Sequence, residues 1–377
     1  MTDMISTETT DADPDEARRD ALAVRIIDAL TAGVELATLE LGRRLGLYRA
    51  LQETGRTTYG IFAAKAGIAE RYAREWLEQQ AAAGFIDASE NQDAGEREYW
   101  LPDGHVAVLV EERDPYYLLG AGPMLAGSIL PIAEVVDAYR SGEGVAYERY
   151  GTEVRHGIAT LNRPSFENEL GDWINAIPGM TERLQTGGRI LDVGCGVGWS
   201  TITLAEQFPA SRARGIDLDA ASIDEARAHA AERGLEGRVH FTTANGTAPI
   251  DDPGYDLACI FEALHDMGDP IAVLRSVRSA LAPDGVILIG DERVSDEFQA
   301  PAGIVERMQF GFSVLHCLPA TMAESTAIAN GTILRAPTVR HWAEEAGFEM
   351  EVLPIEHLFW RFYALRPRSN GDARDAD

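Results

Sequence analysis

The sequence predicts an α/β chain in two folded parts: a mainly helical winged-helix domain, then a doubly wound parallel sheet ending in an antiparallel hairpin. Three observations carry this. From Gly188 onward, apolar runs of strand length alternate with helical stretches, the pattern of a parallel sheet covered on both faces. Two further apolar runs, Glu349–Ile355 and Arg361–Leu365, are separated only by a short turn, so they can pair antiparallel at the sheet edge. Upstream, several helical stretches lead into the strand-like Glu98-Tyr-Trp-Leu.

Taken in order, residues 1–20 read as a disordered acidic tail, without the basic start and apolar centre of a secretory signal. Residues 21–105 form the winged-helix or dimerisation domain. Ala21–Leu51 holds two helices broken near Gly46, Thr57–Ile68 a short helix and turn, and Glu70–Ala83 a further helix ended by Gly84. Residues 106–180 are a helical connector, broken by Gly and Pro, that can roof a pocket. Residues 181–367 form the sheet domain. Its strands are Arg189–Val193, Ala213–Asp217, Val239–Thr243, Tyr255–Phe261 and Gly285–Ile289, and its helices Ser200–Gln207, Ala221–Arg233 and Ile271–Leu281. Residues 368–377 are a second disordered tail.

Composition narrows the function classes. With 61 Asp and Glu against 33 Lys and Arg, the net charge is −28, which repels nucleic acid and anionic lipid. Lys65 is the sole lysine. The helix over residues 69–80 carries Arg71 and Arg74 but also Glu70, Glu75 and Glu78, so the winged helix is expected to mediate a homodimer rather than bind DNA. No uncharged apolar run is long enough for a membrane span. The three cysteines, Cys195, Cys259 and Cys317, form no CxxC pair, as expected of reduced thiols in the cytoplasm.

The chemistry centres on Leu191-Asp-Val-Gly-Cys-Gly-Val-Gly-Trp-Ser. Gly194, Gly196 and Gly198 follow the first strand, where doubly wound sheets bind ligands. A dinucleotide site needs GxGxxG, with a third glycine for close helix packing before a pyrophosphate; here Trp199 takes that place. Asp217 ends the second strand, about 20 residues on, where a carboxylate accepts from both ribose hydroxyls and disfavours a 2′-phosphate. Asn245 and Gly246 end the third strand, where a short amide can meet an adenine amino group. Phe261, Glu262, His265 and Asp266 end the fourth. A nucleoside without phosphates fits this rim.

These motifs together resemble class I S-adenosylmethionine-dependent methyltransferases, over about residues 150–367, with a Rossmann-like sheet. With the winged helix in front, the chain looks like small-molecule O-methyltransferases. The resemblance implies S-adenosyl-L-methionine as cofactor, held by Asp192, Gly194, Cys195, Gly196, Gly198, Asp217, Leu218, Asn245, Gly246 and Phe261, with Asp192 steadying the loop. It implies transfer to a small-molecule acceptor, with His265 in His265-Asp266-Met-Gly-Asp269 as general base. Glu262, a candidate to orient His265, and Asp266 are counted with it as catalytic candidates, and Asp266 or Asp269 could instead cap the following helix. Phe166, Trp173, Met308, Phe312, His316 and Trp360 are candidates for the acceptor pocket, with core packing as the alternative. No metal-ligand spacing is visible, so no metal is expected. Two other readings stay open: a winged-helix regulator sensing a metabolite, and a cofactor-binding relative with non-methylation chemistry.

Overall fold

The computed structural model describes residues 13–368; the expected tails lie mainly outside that range. The chain divides into two compact units at Val110/Glu111. The N-terminal unit begins with α1 (Pro14–Arg44), α2 (Leu47–Thr54), β1 (Thr57–Thr58), α3 (Tyr59–Ala66) and α4 (Glu70–Ala82). It ends with β2 (Asp87–Ala88), β3 (Glu98–Trp100) and α5 (Asp103–Leu109). The first helix starts ahead of the boundary expected at residue 21, because Asp13 accepts from the Asp15 N–H and Pro14 occupies the first turn. The strands pair in the order β1-β3-β2, the wing of a winged helix. Leu47, Tyr48, Leu51, Phe62, Trp76 and Leu77 fill this unit's core. On α4, Arg71 pairs with Glu75 and Arg74 with Glu78 at 3.2 Å, so its cations are neutralised along the helix itself.

The second unit opens with α6 (Ala121–Ile129), α7 (Ile132–Ser141), a single 3-10 turn, α8 (Gly151–Asn175) and α9 (Met180–Gln185). It continues through β4 (Arg189–Val193), α10 (Trp199–Gln207), β5 (Arg212–Asp217), α11 (Ala220–Glu232), β6 (Val239–Thr243), β7 (Tyr255–Phe261), α12 (Pro270–Ala280) and β8 (Leu281–Glu292). Then follow α13 (Ile304–Phe312), a π turn over Ser313–Cys317, α14 (Leu318–Glu324), α15 (Ala336–Glu345), β9 (Phe348–Val352) and β10 (Trp360–Pro367). The sheet order is β6-β5-β4-β7-β8-β10-β9, parallel except for β10, which runs antiparallel to both neighbours. The terminal hairpin therefore enters by its second strand, leaving β9 at the edge. The fifth strand starts earlier than its apolar run: Leu281 pairs with Tyr255, and an irregularity precedes the Leu257–Val286 pair.

Side chains alternate between two cores, one on each face of the sheet. Along β7, Leu257, Cys259 and Phe261 enter one and Ala258 and Ile260 the other; along β8, Val286 and Leu288 oppose Ile287 and Ile289. The connector belongs to this unit, with α8 held against α6 by two glycines. A Cβ on Gly157 would lie 2.5 Å from the Met124 amide nitrogen, and one on Gly127 2.5 Å from that of Val154. Backbone cannot yield as a flexible side chain does, so Gly157→Ala should destabilise the protein by about 1–3 kcal/mol, read from its urea midpoint. No single helix among the described residues is long and apolar enough to cross a membrane.

Candidate active site

The glycine loop after β4 is forced by sterics. Gly194, Gly196 and Gly198 all adopt positive φ, at +76°, +50° and +86°. A Cβ at Gly194 would lie 2.5 Å from the Ala263 Cβ, and one at Gly198 2.6 Å from the Phe241 ring; at Gly196 the space is open. Two glycines thus allow close packing and the third leaves room for a ligand. Asp192 fixes the loop from behind: one carboxylate oxygen accepts from Ser200 Oγ and Thr201 Oγ1, both at 2.6 Å, in the first turn of α10. Burial pushes its pKa up to about 6. Trp199 lines the cavity described below, stacked on His229 at 4.3 Å with the Arg163 guanidinium over its ring at 3.9 Å.

A cavity of about 560 Å³ opens along the carboxyl ends of the strands. Gly194, Cys195, Gly196, Asp217, Leu218, Asn245, Gly246 and Phe261 line it, while Asp192 and Gly198 stand behind the wall. Asp217 Oδ2 accepts from the Gly196 N–H at 2.9 Å and Oδ1 from the Asp219 N–H at 2.8 Å. Burial raises its pKa against those bonds. Asn245 Oδ1 accepts from both the Thr247 N–H (2.9 Å) and the Thr247 hydroxyl (2.8 Å). Its Nδ2 donor is thus the free edge, suited to a ring nitrogen rather than to the adenine amino group expected from the sequence.

His265 sits deeper than expected. It is 3% exposed and does not line the cavity; Asp266 does. Its Nδ1–H donates to Asp291 Oδ1 at 2.8 Å, and its backbone N–H to Asp291 Oδ2 at 3.3 Å. Nε2 lies 3.3 Å from Asp266 Oδ1. Burial works to lower its pKa, but Asp291 and Asp266 outweigh burial and hold it well above the usual imidazole value. Glu262 does not orient it: its carboxylate accepts from Asn162 Nδ2 at 2.5 Å and from the Trp360 indole N–H. It lines the cavity from a left-handed backbone, φ +47°, that a non-glycine residue seldom adopts. Asp269 caps α12, accepting from the Ala272 N–H at 2.9 Å.

Of the acceptor-pocket candidates, only Phe166 reaches the cavity. Trp173 and Trp360 are core residues, 1% and 2% exposed, packed with Phe362. Met308 faces outward at 43% exposure, Phe312 packs on Val135, Tyr150 and their neighbours, and His316 is enclosed between Tyr147 and Tyr150. Helix rotation explains the difference: the face of α14 with Ala320, Ala323 and Glu324 meets the cavity. The main wall was missed in the sequence. It is one face of α8, Arg155, Ile158, Ala159, Asn162 and Phe166, whose three- and four-residue spacing was legible. Tyr147 adds to it. Arg155 ties that face to α11, 2.8 Å from its N-cap Asp219 and 3.3 Å from Glu225.

Folding also corrects the expectation of no clustered metal-ligating side chains. His265, Asp266 and Cys317 bring ligand-type atoms within 4.8 Å of one another, although Cys317 is remote in sequence. Within this group His265 donates to Asp291 through Nδ1–H, and Asp266 Oδ1 stands 3.3 Å from Nε2. All three cysteines are free and buried.

Comparison with known proteins finds a match in each unit. Residues 184–344 match a model described as a methyltransferase domain, and residues 32–111 one described as an Rv2258c-like winged HTH domain. A ubiquinone biosynthesis O-methyltransferase of Aeromonas salmonicida is 34% identical over 103 residues, 27% of this chain and 42% of that protein. The 27-O-demethylrifamycin SV methyltransferase of Amycolatopsis mediterranei is 26% identical over 159 residues, 42% of this chain and 58% of that protein. The matched part spans about half the length of these relatives. The fold matches the mitomycin 7-O-methyltransferase MmcR (TM-score 0.70, 20% identity, 94% of this chain and 100% of that one). It also matches human N-acetylserotonin methyltransferase (TM-score 0.69, 14% identity, 96% and 100%).

Proposed function

We propose that this chain, which joins a class I S-adenosylmethionine methyltransferase domain to an N-terminal winged-helix domain, transfers a methyl group from that cofactor to a small-molecule hydroxyl. The observation that carries the reading is the Asp217 carboxylate at the cavity wall, braced by two backbone N–H groups beside the open Gly196. Such a carboxylate suits a ribose diol. Arg155, the wall's lone cation among the described residues, is already paired with Asp219 and Glu225, so none of these residues offers a free cation to a pyrophosphate. The residues therefore fit a phosphate-free adenosine ligand. Asp217 would hold the sugar, Asn245 Nδ2 the adenine ring, Leu218 a face of the base, and the 194–196 backbone the amino-acid end.

When bound, the cofactor supplies an electrophilic methyl on a sulfonium. The protein's share is alignment for in-line displacement and removal of the acceptor's proton. Asp266 faces the cavity and His265 stands 3.3 Å behind it, braced by Asp291. The proton leaves through this chain, with His265 as its base. Calorimetry with S-adenosylhomocysteine and NAD, followed by mass spectrometry of acceptors incubated with methyl-labelled cofactor, tests the reading. Heat with the nucleoside and a labelled product is expected; tight NAD binding without the former overturns it.

We further propose a homodimer through α1. Leu22, Ile26, Ile27, Leu30 and Val34 form an apolar stripe, each more than half exposed. A stripe of this spacing is covered by a matching helix. Ile26→Glu with Leu30→Glu should shift sedimentation from dimer to monomer; an unchanged dimer places the interface elsewhere.

A further inference from the structure

We propose that the acceptor this site takes carries a basic amino group, protonated as it binds. The inference rests on the methyl-transfer reading and names its substrate class. Among the described residues the cavity wall carries Glu148, Asp217, Asp219, Glu262, Asp266 and Glu324 against one cation, Arg155. Most of these charges have partners. Arg155, its side chain 10% exposed, is committed to Asp219 and Glu225. Glu262 accepts from Asn162 and Trp360, and Asp217 is braced for the sugar.

Asp266 and Glu324 are different. Asp266 Oδ1 is shut off from solvent and receives no hydrogen bond in the structure, although His265 Nε2 lies 3.3 Å away. Glu324, at the exposed end of α14, accepts one N–H, from Gly268 at 3.1 Å. Burial raises its pKa, the Gly268 bond opposes that, and Asp266, Asp217 and Asp269 raise it further. Two carboxylates that repel each other at one cavity, Asp266 through its solvent-open part and Glu324, leave a place for a cation. An ammonium supplies three donors to acceptor-only groups and relieves the repulsion. Ala320 and Ala323, on the same face of α14 as Glu324, keep that side open, and Tyr147, Phe166 and Phe261 offer aromatic faces for the rest of the molecule. A carboxylate or phosphate ester would instead enter a field of like charge with no free arginine or lysine on the wall.

The test uses the full chain saturated with S-adenosylhomocysteine and titrated at neutral pH with three near-isosteric phenols. These are tyramine (cationic), para-propylphenol (neutral) and para-hydroxyphenylpropanoate (anionic). Tyramine is expected to bind at least about tenfold more tightly than the propanoate, with the neutral phenol between. Glu324→Gln should narrow the gap by several-fold while leaving S-adenosylhomocysteine affinity in place. A propanoate that binds as well as tyramine overturns the inference, as does the absence of any ranking, none of the three binding included. Failure of S-adenosylhomocysteine to bind fells the methyl-transfer reading itself and this inference with it. Nucleoside binding without charge ranking fells the inference alone.

Discussion

Asp217→Ala should weaken S-adenosylhomocysteine binding by about 100-fold or more, without unfolding the protein. Each Asp217 oxygen already accepts one backbone N–H, from Gly196 or Asp219, and keeps a second lone pair at the cavity wall. Two charge-assisted bonds to a ribose diol are worth about 1.5–3 kcal/mol each, and each 1.4 kcal/mol is about tenfold in affinity. The alanine also leaves the Gly196 and Asp219 N–H groups without their acceptor, which loosens the loop where the ligand must rest. Asp217→Asn separates these effects. It keeps the shape and one acceptor but loses the charge, so its affinity should fall between wild type and alanine. Calorimetry gives the affinities and circular dichroism the control for folding. Wild-type affinity in the alanine variant would sink the assignment of the cavity as a nucleoside site.

His265→Ala should lower kcat by about 100- to 10,000-fold while leaving S-adenosylhomocysteine affinity nearly unchanged. The affinity control is meaningful because His265 does not line the cavity. The pH dependence has a definite sign. A base must be unprotonated, and His265 is held well above its ordinary value of 6.5, chiefly by Asp291 and Asp266 against the opposing effect of burial. Wild-type kcat should therefore rise with pH along a limb whose midpoint lies above 6.5. Asp291→Asn removes one of the two anions, so the limb should move to lower pH. Cys317, His316, Glu262 and Glu292 also surround this group; Asp291 accepts from Nδ1–H at 2.8 Å, and Cys317 is a second side-chain hydrogen-bond partner of the ring. Unchanged turnover in His265→Ala across pH would leave alignment as the whole of the catalysis.

The sequence carried the order of strands and helices, the glycine loop, the carboxylate at the end of β5 and the Asp269 cap. Each is written in a short stretch of chain: an apolar run, a φ that only glycine takes easily, or a side chain reaching an amide three residues on. It also carried the face of α8 that forms the wall, in the three- and four-residue spacing of its lining residues.

The reaction centre is not local. His265 meets Asp291 because β7 and β8 lie side by side in a register that pairs Phe261 with Gly290. Glu262, three residues before His265, is drawn instead to Asn162 on α8 and Trp360 on β10. Trp173 and Trp360 were legible as large aromatics, but the rotation of α8 and the pairing of β10 with β8 sent them to the core. The sequence by itself determined which elements form and which chemistry their ends carry, because dihedral preference and side-chain period are properties of neighbouring residues. Tertiary structure alone decided which acid serves the histidine and which aromatics face the ligand, because strand register and helix rotation are set by packing between segments far apart in the chain.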